Sequence, residues 1–441
     1  MNPLAPKPNA RRSRRQDGMA LVLVLLVIAV LALLGVAGTR SAQTELQMGS
    51  KEMVGRQALG AAEAGINHAY SLIKASVTGR PGMSAACTQC GFDSELSGGG
   101  TSGTLASIGS TATLGTQTYR FRAFGGGATD GYYVQAADTY DEVSGANNPA
   151  IDRDAKIYLV SRGRVGGAER VVTALVTATP LFGSYGVASK TNVNMSGGSS
   201  TDSFDSRDAA YAALTAGSHG NVLADGNISL SGGSTVIKGD ATASGTVTTS
   251  GGASVTGTTL PGAPPISFPS VPACGPPYSP NAGITPSTLY TASTGVLNIQ
   301  GGATGTLAGG TYCFNHITIG GGSILSVSSP VNIFVIAASD LSGGSVANTS
   351  LNASSLKLFS SLNAPSNNNG IKLSGGTQSY MSIYAPDTGI TFSGGTTEFY
   401  GAVVGYNITD TGGTRFHYDQ SLVNVLGPTP PRLSSWHEVR N

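Results

Sequence analysis

Charge is scarce in this 441-residue chain: 25 Lys and Arg and 24 Asp and Glu make up 11% of it and leave a formal net charge of +1. No basic cluster occurs beyond the first fifteen residues, which argues against nucleic-acid binding through phosphate neutralisation. Histidine is rare too: His68, His219, His316, His417 and His437 are scattered, with no pair at metal-ligand spacing. Neither a Walker loop nor a Gly-x-Ser-x-Gly elbow occurs. Gly98-Gly99-Gly100-Thr101-Ser102-Gly103 has the letters of a dinucleotide loop but lacks the strand–helix context, and reads as linker. Of four cysteines, Cys87 and Cys90 form a lone Cys-x-x-Cys, open to a redox motif, half a zinc site or a disulfide. With no second Cys-x-x-Cys, a structural bridge closing that small loop is preferred, and Cys274 with Cys313 is then the default second bridge. No cofactor is implied.

What is present begins at the N-terminus. Arg11, Arg12, Arg14 and Arg15 lead to Gly18, and an uncharged run from Met19 to Thr39 follows at once. At about 1.5 Å per residue that run makes a helix able to cross a hydrocarbon core of roughly 30 Å, with the arginines on the cytoplasmic side. A secretory signal cut near Gly35-Val36-Ala37-Gly38 is one reading. The other places the cut after Gly18 and keeps the helix. Beyond the span, Leu59, Ala62, Ile66, Ala69, Tyr70 and Ile73 recur at three-and-four spacing, so a single helix is expected over 19–76, ended by Thr78-Gly79-Arg80-Pro81-Gly82.

The combination Gly-x-x-Leu-Val-x-x-Leu from Gly18, then Thr39-Arg40-Ser41, Arg56-Gln57-Ala58 and Ala61-Ala62-Glu63-Ala64-Gly65 resembles the N-terminus of PilX-type type IV minor pilins. The resemblance implies cleavage between Gly18 and Met19 by a prepilin peptidase, methylation of the new terminus, and filament packing through residues that include Leu23 and Glu63. Major pilins carry Glu where this chain has Leu23, the fifth residue after the cut. An unpaired carboxylate in lipid is costly, so the leucine implies an initiating or tip-proximal subunit. The implied partners are other minor and major pilins and a large tip adhesin. The implied location is the inner membrane, then the extracellular pilus.

Residues 77–180 are expected to form a pilin-like β region, with 87–115 as loop and strands over 116–124, 131–137, 156–164 and 170–179. Residues 181–427 carry a repeat. Asn192-Val193-Asn194-Met195-Ser196-Gly197-Gly198, Asn227-Ile228-Ser229-Leu230-Ser231-Gly232-Gly233, Gly370-Ile371-Lys372-Leu373-Ser374-Gly375-Gly376 and Gly389-Ile390-Thr391-Phe392-Ser393-Gly394-Gly395 share one template, and Asn407–Thr414 is a degenerate last copy. The Gly-Gly pairs starting at 301, 321, 343, 375, 394 and 412 fall 20, 22, 32, 19 and 18 residues apart. A period near 20 with two apolar residues two apart describes a solenoid coil. Glycine supplies the positive φ of the turn. The fold class is therefore mainly β with one long N-terminal helix: a small sheet, then a right-handed parallel β-helix, with an antiparallel β-sandwich as the alternative. Residues 311–422 also resemble a β-helical surface domain of uncharacterised function. Residues 428–441 read as a short C-terminal tail.

Candidate sites are few. Asp138, Asp141, Glu142, Asp152 and Asp154 form an acidic loop with oxygen ligands of the kind Ca²⁺ takes, though a solvated turn is preferred. His417 beside Asp419 is expected to hydrogen-bond an end coil. The group Asp205-Ser206-Arg207-Asp208 is the best candidate for a carbohydrate-active site, the alternative function, with Asp205 and Asp208 as its carboxylates. The preferred reading is structural, without catalysis.

Overall fold

The computed structural model describes residues 16–79, 91–124, 129–140, 147–366, 370–375, 378–395, 397–427 and 429–439. Helix α1, Gln16–Gly79, is 64 residues long, which at about 1.5 Å per residue is roughly 96 Å. From Met19 to Met53 every residue is exposed. The second half buries Ala58, Ala62, Ile66, Ala69 and Ile73 against a sheet. The switch follows the sequence: apolar side chains surround the first half and line one face of the second.

That sheet runs β1 (Ser110–Leu114), β2 (Gln117–Ala123), β3 (Gly131–Asp138), β4 (Lys156–Val165), β5 (Ala168–Thr177) and then the C-terminal strand Arg432–Val439, all antiparallel neighbours. Two expectations are corrected here. Residues 428–441 are not a free tail, because Arg432–Val439 pairs along β5. The stretch 87–115 is not all loop: helix α2 (Asp93–Gly100), a short 3-10 turn and β1 lie in it, and Phe92, Leu96, Leu105 and Ile108 fill the core behind α1. Those apolar residues are spaced too irregularly, among glycines and serines, to read as an element.

The solenoid is therefore an insertion between two hydrogen-bonded strands. It consists of three sheets in which successive coils pair in parallel. Ile, Leu, Val and Phe from each coil point inward into one continuous core, each worth about 1.5–3 kcal/mol on burial.

Stacking order differs from sequence order. The first coil (Val187–Ser189, Val193–Met195, Ser200–Phe204) pairs with the second on one side, Val193 beside Ile228, and with the last coil on the other, Val193 beside Ile408. From the first coil the chain runs outward to an end coil, Val247–Ser250, Ser254–Val255 and Thr259–Pro261. It then crosses to the opposite end. There Ile284–Thr285 and Tyr290–Thr291 pair antiparallel, and the remaining coils return to the middle. The crossing segment lies along one outer face: Ile266 N donates to Asp225, Tyr384 donates to Pro269 O, and Cys274 is bridged to Cys313. Entry and exit must adjoin because they continue neighbouring strands, and Leu181 N donates to Val425 O while Gly427 N donates to Thr179 O. A simply wound solenoid with nine or ten strands per sheet would part its ends by roughly 40 Å at about 4.8 Å per strand.

Candidate functional site

The helix–sheet contact is close because glycine sits at its crossing. A Cβ on Gly163 of β4 would lie 1.9 Å from the Ala58 carbonyl oxygen, and one on Gly65 would lie 2.2 Å from Ser161 Oγ. Beside this contact Glu63, Ile66, Asn67, Leu433 and Trp436 line a cleft of about 320 Å³ between α1 and the C-terminal strand. Near the far end of α1, Tyr70 donates to Pro431 O at 2.8 Å. The solenoid thus leaves the sheet at the end remote from the apolar half of α1.

A buried polar network fixes the solenoid there. Asp93, opening α2, accepts from Asp152 N and from Asn424 Nδ2, both at 2.7 Å. Arg207 donates to Asp205 through Nε (2.9 Å) and Nη2 (2.7 Å) and to Asp152 O through Nη1 (2.6 Å). Arg153 donates to Asp205 and, at 2.8 Å, to Asp208. Burial pushes the Asp152 carboxyl up to about 7, and the Asp93 carboxyl moves upward for the same reason. Burial also acts against ionised Asp205, but the Arg207 fork outweighs it and holds that carboxyl below its usual range. Removing one member of such a buried pair costs about 3–5 kcal/mol.

A second network marks the seam between the first and last coils. Asp410 occupies an inward position, in register with Phe392 on one side and Met195 on the other. It accepts from Gly412 N (3.0 Å), Thr414 N (2.9 Å), Thr414 Oγ1 (3.0 Å) and Ser199 Oγ (2.5 Å), so its carboxylate joins the turns of both coils. On the outer face at the same seam, His417 lies between Asp202 (2.5 Å) and Glu398 (2.7 Å), with the Tyr400 ring stacked 4.6 Å away.

These positions revise the sequence-derived sites. His417 does not pair with Asp419 and does not sit in an end coil: the last coil lies in mid-stack, and Asp419 accepts from Ser206 N, Ser421 N and Ala353 N. Asp205 and Asp208 are engaged by arginines rather than presented as a carboxylate pair. Of the acidic loop, Asp141 and Glu142 lie outside the described residues. Asp138 accepts from Tyr140 N, Asp152 from the amides of Asp154 and Lys156, and Asp154 binds Lys156 Nζ at 2.6 Å. Among the described residues no group of three or more His, Cys, Asp or Glu is placed to hold a metal ion. Cys87, Cys90 and the leader arginines also lie outside the described residues. Met19 and Leu23 are exposed on α1. Sequence reasoning missed Asp93, Arg153 and Asp410, and had Arg207 only as a member of the Asp205–Asp208 group. Only Asp410 left a local sign, as the odd letter in the last repeat copy.

Residues 17–67 match the family model described as PilX N-terminal, and residues 315–425 match a domain of unknown function, DUF7305. No curated protein matches the chain. Among solved structures, the competence-associated pilin ComZ from Thermus thermophilus aligns over 88% of this chain and 98% of its own, at 12% identity and a TM-score of 0.27. So remote a likeness carries no functional weight.

Proposed function

We propose that this chain, whose N-terminal segment is that of a PilX-type type IV minor pilin, is an assembly subunit at or near the tip of a type IV pilus. In this reading a prepilin peptidase cuts between Gly18 and Met19 while the helix is held in the inner membrane. The exposed apolar half of α1 then packs among other minor and major pilins, and the solenoid is displayed outside the cell for partner docking, a large tip adhesin included, or for adhesion. The chain performs no catalysis of its own.

One observation carries the proposal: the solenoid interrupts the sheet between β5 and the C-terminal strand, at the end remote from the apolar helix. A domain inserted there adds bulk beyond the helix packing without altering the helix. Bulk of this kind fits a filament end better than a repeating shaft, and Leu23 in place of the usual glutamate supports the same position. The carbohydrate-active alternative has no such support, because Asp205 is tied to both Arg153 and Arg207.

The test is immunogold electron microscopy of sheared pili with an antibody against the solenoid. Label confined to filament ends is expected. Label spaced along the shaft would overturn the tip-proximal position, and its absence from pili would overturn incorporation.

A further inference from the structure

The two ends of the solenoid are finished differently. One is closed by the antiparallel strands Ile284–Thr285 and Tyr290–Thr291. At the other, the strands Val247–Ser250, Ser254–Val255 and Thr259–Pro261 each close one side of a sheet and pair on their inner side alone. Their inward bonds are spaced two apart: Ile228 N to Thr246 O, Gly232 N to Ser250 O, Ser254 N to Thr235 O, Thr256 N to Ile237 O and Ala241 N to Thr258 O. A parallel ladder alternates, so the N–H and C=O of Val247, Thr249, Val255 and Thr259 turn outward.

Such edges are ordinarily defended by shortness, as these strands of four, two and three residues are in part, and by lysine, proline or a bulge. Here Pro261 is the one such residue, and no Asp, Glu, Lys or Arg occurs between Asp240 and Asp340. The core also ends unfinished: Val247, Ala253 and Val255 pack on it yet remain half-exposed. Terminal repeats of a solenoid need a polar cap.

We infer that this end is a strand-addition site for an extended, uncharged segment of a partner polypeptide, with apolar residues two apart, which continues the stack as a further coil. The uncharged edge selects the chemistry, since a charge laid against it is desolvated without a counterion. A second copy of this chain is a poor occupant. The opposite end is capped, and two like ends would meet with their coils wound in opposite senses, so that their strands lie antiparallel and do not continue the parallel stack. The inference rests on reading the solenoid as a docking domain, and its test on the purified chain is independent of incorporation into pili.

The probe is a fluorescent peptide reproducing residues 296–312, an uncharged coil of this chain, titrated into the full-length protein in detergent. Saturable binding is expected, with slowed amide exchange at Val247, Thr249, Val255 and Thr259. Thr249→Pro, which removes one outward N–H, should weaken binding at least tenfold. A peptide with lysine in place of Leu297 and Ile299, two of its inward residues, should not bind. Should Thr249→Pro fail to fold, the exchange pattern in the unsubstituted chain decides. Absence of binding, binding equal in Thr249→Pro, or those four amides already protected in the chain alone would each overturn the inference.

Discussion

Asp410 holds the seam between the first and last coils, and substitution there gives the sharpest prediction. The carboxylate stands in a column of inward apolar residues and accepts four hydrogen bonds, three from its own turn and one, from Ser199 Oγ, across to the first coil. In Asp410→Ala the half-buried amide of Gly412 and the buried amide of Thr414 lose their acceptor, at about 1–3 kcal/mol each. Relief from burying a carboxylate, whose pKa burial already raises, returns part of that. A net loss of about 3 kcal/mol is expected, read as an earlier urea midpoint of the solenoid transition with unchanged slope. Asp410→Leu separates the contributions. It restores the Phe392–Met195 apolar column, adding about 1–2 kcal/mol of burial, but leaves both amides unpaired, so it should fall between Asp410→Ala and the unsubstituted chain. If Asp410→Leu is the more stable protein, the seam is an ordinary coil contact and the reasoning fails.

Three further outcomes are expected. Asp152, pushed up to about 7, is favoured in its protonated form by the fold. Its contribution is full below the unfolded value of about 4 and declines as pH rises to about 7, by at most about 4 kcal/mol. Asp152→Asn should therefore flatten the stability profile between pH 4 and 7, seen in thermal melts across that range, and an unchanged slope would contradict the assignment. Cys274→Ser opens a loop with a sequence separation of 39 and should cost about 4 kcal/mol by loop entropy, with faster proteolysis of residues 262–283 than in the parent chain. Gly163→Val drives a side chain into the Ala58 carbonyl and should cost about 1–3 kcal/mol or more, raising amide exchange in α1 between Ala58 and Ile73 while the solenoid keeps its protection.

How much of this was legible in the sequence depends on the distance between partners. The uncharged Met19–Thr39 run and the buried face of Ala62, Ile66, Ala69 and Ile73 are local patterns, and they read through directly. The coil template also reads through, because each copy carries its own inward pair and turn glycines. Stacking order does not, since one coil's edge pairs equally well with any other: nothing near Val193 announces that Ile408 lies beside it. The strand Arg432–Val439 was illegible for the same reason, its partner β5 lying across the whole insertion. The junction joins Asp93, Asp152, Arg207 and Asn424, whose meeting is fixed only once the insertion folds. Charged residues so sparse carry no periodicity, and their partners are chosen by tertiary geometry.

The central claim, a pilin-type helix retained in the mature protein as the assembly element, is tested most directly by the mass of the N-terminal peptide from the surface-sheared fraction. The expected chain starts at methylated Met19 and keeps the whole apolar run. A start near Thr39 would contradict the claim, leaving a secreted solenoid with no means of entering a filament.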